Sequence, residues 1–185
     1  MSFSSHDALI IVDLQKDFCP GGALAVPGGD EVVPVVNIWQ RKMVEAGALI
    51  VASRDWHPAN HVSFQGTWPP HCVQESEGAA FHESFNLHPT AEVVSKGDQV
   101  DHDSYSAFSS PALPPLLEKR QIKRVWVCGL ALDYCVKATA LDVLKAGYET
   151  FLIEPATRAV NVQPEDGSQA LQALRDEGVQ IVRIF

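Results

Sequence analysis

Cys135 has the chemistry to attack a carbonyl carbon, and its neighbours decide whether it does. It follows Asp133, an N-cap residue type, at the head of an expected helix over Asp133–Ala146. A helix N-terminus favours negative charge, lowers a thiol pKa and offers free N–H groups to an oxyanion. On position alone Cys135 reads equally as a nucleophile or as a packing cysteine. Asp13 leaves the apolar run Ala8–Val12. There it is suited to take a proton from a thiol and return it to a leaving amine, with a helix cap as the plainer reading. Nearby Asp17 reads as a turn former. Lys96, after Glu92–Ser95, is suited to keep Asp13 ionised and oriented, or to make an ordinary surface ion pair.

A second cluster suits a metal. Asp55-Trp-His57-Pro-Ala-Asn-His61, followed by His71, carries three imidazoles and a carboxylate in one loop. Such ligands accept Zn²⁺, Fe²⁺ or Mn²⁺ without a thiolate, and a mixed set leaves coordination positions open for water or substrate. His82 and His88 read as surface residues. Cys128, inside an apolar run, reads as packing, and Cys19 and Cys72 as structural loop cysteines. The Gly-rich stretch from Cys19 to Asp30 lacks a terminal Gly-Lys-Ser/Thr, and its prolines remove N–H donors. It reads as a shaped loop carrying Phe18 toward a cleft, not as a phosphate cradle.

These groups need a scaffold that gathers them. Short β-rich runs at Ala8–Val12, Ala48–Ala52, Glu92–Ser95, Val125–Cys128, Phe151–Ile153 and Val179–Ile184 alternate with helical segments. The expected helices are Gly29–Ala46, Ala112–Arg120, Asp133–Ala146 and Pro164–Glu177, with Gly47, Gly147 and Gly178 as stops. Strand–helix alternation predicts an α/β fold whose parallel sheet is covered on both faces. In such sheets ligands bind beyond the carboxyl ends of the strands. Asp13, Asp55 with His57, Lys96 and the Gly129–Cys135 segment each follow a strand, so one sheet edge should collect them. The long irregular stretches 54–89 and 97–111 read as site-building loops.

The chain has 185 residues, which predicts a single domain over 1–185. With 14 Lys plus Arg against 23 Asp plus Glu, the net charge is −9. That balance argues against nucleic acid and anionic membrane surfaces as partners. No secretory signal or membrane-spanning run is visible, so a cytoplasmic setting with reduced thiols is expected. Homo-oligomerisation stays open.

The segments Ile11-Val-Asp-Leu-Gln-Lys-Asp-Phe18, Ser53-Arg-Asp-Trp-His-Pro-Ala-Asn-His61, Trp68-Pro-Pro-His-Cys-Val73, Lys96-Gly97 and Val127-Cys-Gly-Leu-Ala-Leu-Asp-Tyr-Cys135 occur in this order. Together they resemble the nicotinamidase/pyrazinamidase family within the isochorismatase-like cysteine hydrolases. The Trp-Pro-Pro-His-Cys element joined to Asp-x-His is specific to the metal-dependent branch, whereas the Asp, Lys and Cys spacing marks only the superfamily. Gln74-Glu75-Ser76 departs from the frequent Gly-Thr at that place.

The resemblance implies a three-layer, doubly wound, mainly parallel six-stranded sheet of order 3-2-1-4-5-6. It implies a catalytic triad of Asp13, Lys96 and Cys135, and one divalent metal (Zn, Fe or Mn) on Asp55, His57 and His71. His61 matches a ligand that only some members have. Phe18, Trp68 and Tyr105 match aromatic positions around the substrate, with Leu130 and Ala131 beside it. A cis peptide at Leu130–Ala131 would aim the Ala131 N–H, with that of Cys135, at the oxyanion. The implied activity is hydrolysis of nicotinamide, and of pyrazinamide, through a Cys135 thioester within NAD salvage. The alternatives are a metal-independent cysteine amidohydrolase of carbamoyl or ureido compounds, and a non-catalytic metal-binding or redox module. For the last, no Cys-x-x-Cys pair is present.

Overall fold

The computed structural model describes residues 2–183, so Ile184, the last residue of the expected sixth strand, lies outside it. β1 (Asp7–Val12), β2 (Leu49–Asp55), β3 (Glu92–Lys96), β4 (Arg124–Leu130), β5 (Glu149–Arg158) and β6 (Gln180–Val182) form one sheet. Its order is β3-β2-β1-β4-β5-β6, and every pairing is parallel. The expected α/β class and strand order are both present.

Alternation along the strands divides the apolar side chains between two faces. Leu9, Ile11, Ile50, Trp126 and Phe151 pack with Val32, Val36, Trp39 and Met43 of α1 (Val32–Glu45). Ala8, Ile10, Val125, Val127 and Leu152 face the other way. They meet α2 (Leu113–Lys119), α3 (Lys137–Lys145) and α4 (Asp166–Glu177) through Leu117, Val143 and Leu174. Three layers result, with β1 wholly buried at the centre. Trp126 stacks on Phe151 with centroids 4.0 Å apart, and Trp39 and Phe3 pack around it.

Some boundaries differ from expectation. The first helix starts with a 3-10 turn at Gly29–Glu31 before α1. The expected helix at Asp133 begins instead as a π-helical turn, Leu132–Val136, in which Val136 N–H donates to Ala131 O. β5 runs well past Ile153, because pairing with β4 resumes at Gly129–Thr157 after a register shift. Pro155 lies within this irregular stretch, where no ladder donor is needed. At Gly129, φ is +107°, and a Cβ there would lie 2.0 Å from Val12 O, so β1 and β4 approach only because this residue has none.

Candidate active site

Strand register does most of the gathering. Asp55 and Lys96 are directly paired residues on β2 and β3, both at the carboxyl end. Asp13 follows β1 with a left-handed backbone (φ 47°), and its N–H donates to Ser53 O at 3.2 Å. Cys135 enters from the π-helical turn after β4. The sheet edge therefore brings together all four strand-end groups that sequence places there.

Lys96 is the hub. Its side chain is fully buried, and Nζ lies 2.8 Å from Asp13 Oδ2, within hydrogen-bonding reach of Asp55 Oδ1, and 3.4 Å from Cys135 Sγ. Burial alone would lower its pKa, but the two carboxylates hold it well above the usual lysine value. The ammonium is thus a permanent charge. Asp13, Asp55 and Cys135 also converge within 4.8 Å of one another, but the cation they share is this ammonium.

The thiol departs from expectation. Burial pushes Cys135 well above its ordinary pKa, against the pull of Lys96 and with Asp13 and Asp55 adding to the rise. Proximity to a helix start does not compensate for removal from water. Burial likewise raises the Asp13 carboxyl, against Lys96. Its Oδ1 accepts the Ser53 hydroxyl at 2.7 Å, whereas Oδ2 has no aligned donor despite its ion pair with Lys96. A proton-hungry carboxylate oxygen and a neutral thiol thus share one buried space. The other thiols are unpaired and inert: burial pushes Cys19 to about 11, and Cys72 and Cys128 higher still.

Asp55 turns its second oxygen toward the histidines. Oδ2 lies 3.6 Å from His57 Nε2 and 4.0 Å from His71 Nε2. His57 Nδ1 lies 2.8 Å from Gly97 O, and His71 Nδ1 2.8 Å from Pro69 O. A carbonyl only accepts, so both Nδ1 atoms carry a proton and each Nε2 is the nitrogen turned toward the carboxylate. This is the second-shell pattern of metal-ligating histidines. Burial would lower the His57 imidazole, but Asp55 holds it above its usual value. Ligands at about 2.0–2.2 Å from one tetrahedral metal lie about 3.3–3.6 Å apart, close to these separations. Burial would raise the Asp55 carboxyl, but the Lys96 ammonium first, and then the imidazole of His57 that Asp55 in turn makes more basic, hold it far below the usual range. His71 is lowered by burial, which keeps it neutral. The donor set fits a divalent ion.

His61 has the opposite tautomer. Its Nε2 donates to His102 O at 3.1 Å, while Nδ1 accepts from Ser63 N–H and pairs with its hydroxyl at 2.7 Å. Both nitrogens are committed inside the loop. The ring packs on His57 with centroids 4.2 Å apart and joins neither the Asp55–His57–His71 group nor the cavity wall.

A cavity open to solvent on one side adjoins these groups. Cys135, Ala131, Asp55, His57 and His71 line it together with Phe18, Trp68 and Tyr105. Trp68 Nε1–H donates to the Tyr105 hydroxyl at 3.2 Å, and Tyr134 packs on both rings. The Leu130–Ala131 peptide is cis. Leu130 does not line the cavity: it is fully buried in the α1-side core.

Sequence reasoning passed over several residues. Tyr134, Leu24, Val26, Val160, Ser104 and Asp103 complete the cavity wall. Ser53 and Gln15 lie two residues from Asp55 and Asp13, a spacing that flags side chains on a shared face. Gln15 Nε2 donates to Asp55 O and Ala79 O, and its Oε1 accepts the Asp55 N–H. Asp17 is more than a turn former. Its Oδ2 accepts the Cys72 N–H at 2.7 Å, tethering the loop that carries His71. Nor does Asp133 cap a helix: its two oxygens accept the Val160 and Asn161 N–H groups, each at 2.9 Å.

Comparison with known proteins gives the same answer along the whole chain. The isochorismatase domain family matches residues 7–184. An Escherichia coli nicotinamidase is 41% identical over 198 residues, spanning 94% of this chain and 93% of its own. The pyrazinamidase of Pyrococcus horikoshii, solved in complex with zinc, superposes with a TM-score of 0.92 at 47% identity, covering 97% of this chain and 99% of its own. PnC1 from L. infantum, solved in complex with nicotinate, gives 0.89 at 39% identity, with 99% and 96% covered. Register, site and relatives agree: this chain belongs to the isochorismatase domain family, in its nicotinamidase/pyrazinamidase branch.

Proposed function

We propose that the chain hydrolyses nicotinamide to nicotinate and ammonia, and pyrazinamide likewise. The supporting observation is the Lys96 ammonium, which touches Asp13, Asp55 and Cys135 at once beside a histidine pair fit for a metal. A metal-independent carbamoyl or ureido hydrolase would leave the Asp55–His57–His71 cluster without a task.

Asp13 takes the Cys135 proton, and the sulfur forms a bond to the carboxamide carbon. Lys96 stays protonated and offsets the negative charge shared by Asp13 and Cys135. The Ala131 and Cys135 N–H groups hold the tetrahedral oxyanion. Asp13 returns the proton to the nitrogen, the C–N bond breaks, and ammonia leaves a Cys135 thioester. Asp13 then accepts a proton from water as the water oxygen bonds to the thioester carbon, the C–S bond breaks to release the acid, and Asp13 returns that proton to the Cys135 sulfur. Phe18, Trp68 and Tyr105 sandwich the aromatic ring and exclude water. Asp55, His57 and His71 would hold a zinc, iron or manganese ion, which when bound positions the ring nitrogen and withdraws electron density. We assign His61 to support of His57. We place the activity in NAD salvage and in a reducing cytoplasmic setting, which suits four unpaired thiols.

The test is ammonia release from nicotinamide before and after chelation, with metal analysis of the same sample. Turnover should be lost on chelation and return with added metal. Cys135→Ala should abolish turnover and keep its metal; an active Cys135→Ala protein would refute the covalent route.

A further inference from the structure

The proposed reaction turns a neutral ligand into an anion inside one cavity. Amide and acid have nearly the same size and ring, so shape cannot separate them. Charge can.

Two carboxylates line the cavity, Asp55 and Asp103. Asp55 is neutralised by the buried Lys96 ammonium. Among the described residues, Asp103 has no such cation. Its one hydrogen bond among the described residues is from the Ser104 N–H to Oδ1, at 2.9 Å. It stands in the irregular stretch between β3 and α2, two residues before Tyr105 and at the exposed side of the cavity. Its charge reaches inward, since it helps hold the Tyr105 hydroxyl, which burial raises first, above its usual pKa.

On the reading above, we propose that Asp103 is a specificity-determining residue. It disfavours the carboxylate product electrostatically and leaves the uncharged amide free to enter. No arginine or lysine stands in the cavity wall, and the Lys96 ammonium behind it is shared by Asp13, Asp55 and Cys135, so the unpartnered carboxylate at the mouth adds a repulsion that this cation does not offset. For two unit charges within one partly wet cavity, with an effective dielectric between the surface and bulk-water values, the repulsion amounts to about three- to tenfold in affinity. Product release therefore gains from a residue that takes no part in bond making.

The experiment uses Cys135→Ala protein, which should bind both ligands without turnover, with intrinsic tryptophan fluorescence, to which the cavity-lining Trp68 contributes, as the readout. The ratio of the nicotinate Kd to the nicotinamide Kd should fall about three- to tenfold on Asp103→Asn, and Asp103→Glu should restore it. With Asp103 in place, raising ionic strength from about 0.02 to about 0.5 M should also lower the ratio by screening the repulsion. That arm needs no variant at Asp103. A ratio unmoved by Asp103→Asn and by salt overturns the proposal, as do two constants that shift in parallel, which would mark a change of shape. Failure of the wild-type chain to release ammonia from nicotinamide would sink the proposed function instead, a separate result.

Discussion

At Gly97 the absence of a single carbon keeps His57 in place. A Cβ there would lie 2.4 Å from His57 Cε1 and 2.7 Å from Nδ1, on a backbone with φ +62°. The same residue's carbonyl accepts the Nδ1 proton. Gly97→Ala must move the imidazole, and loss of ligand orientation costs about 10–100-fold in metal affinity. Competition with a chromophoric chelator measures this directly, and wild-type affinity in the Ala variant would free His57 from that control. Ser53 tunes the proton instead of the metal. Its hydroxyl donates to Asp13 Oδ1, which favours the ionised carboxylate. Asp13 must be ionised to take the thiol proton, so activity falls as pH drops through its pKa, which burial has raised. In Ser53→Ala the charged form loses its donor, the pKa rises further and the acid limb moves toward neutral pH. At a fixed pH on that limb, kcat/KM should fall about three- to tenfold, with metal content checked at each pH. A limb that stays put or moves to lower pH would contradict the assignment of Asp13 as the base.

At the scale of elements, Asp133 joins two pieces of chain that sequence distance separates. It sits in the π-helical turn with Cys135, and its oxygens hold the backbone N–H groups of Val160 and Asn161 after β5. Val160 lines the cavity. Removing both acceptors costs about 1–3 kcal/mol, so Asp133→Ala should melt about 3–8 °C lower. Its KM should rise more than its kcat falls, and an unchanged KM would uncouple the clamp from the cavity. This residue also marks where legibility in the sequence ends. An Asp ahead of a helical run is a good cap by type, but the N–H donors it accepts from lie 27 and 28 residues away. Local patterns carry no sign of such partners. The strands and the helices α1 and α4 were readable because their periodicity is local. The resumed half of β5 was not, because Glu154-Pro155 interrupts the apolar run while pairing is set by β4. Asp13, Asp55, Lys96 and Cys135 were legible as a group because parallel strands must deliver their carboxyl ends to one edge. The tautomer of His61 was not, since it depends on loop contacts, and neither was the burial of Leu130, which depends on the α1-side core that the end of β4 joins.

For the molecule as a whole, the site costs stability when it is empty. Asp55, His57 and His71 are each at least 95% buried, and desolvated polar groups destabilise unless they are paired. Lys96 compensates one oxygen of Asp55, but among the described residues the two inward Nε2 atoms meet only its other oxygen, at 3.6 and 4.0 Å, beyond hydrogen-bond length. They also sit on the long loop between β2 and β3, so the ion that satisfies them would tie this loop to the sheet edge. Binding to the folded chain alone stabilises it by about 4 kcal/mol at a thousandfold excess over Kd. For a chain of this length that is about 8–16 °C in Tm. Chelation should therefore lower Tm by this order, and re-addition of metal should restore it. In Asp55→Asn the metal-dependent part of the shift should shrink, because an amide is a weaker ligand than a carboxylate. His61→Ala should retain most of it, since both His61 nitrogens are already engaged within the loop. If His61→Ala instead removed the shift as fully as a change at His71, His61 would have to leave the His102 carbonyl and join the ion.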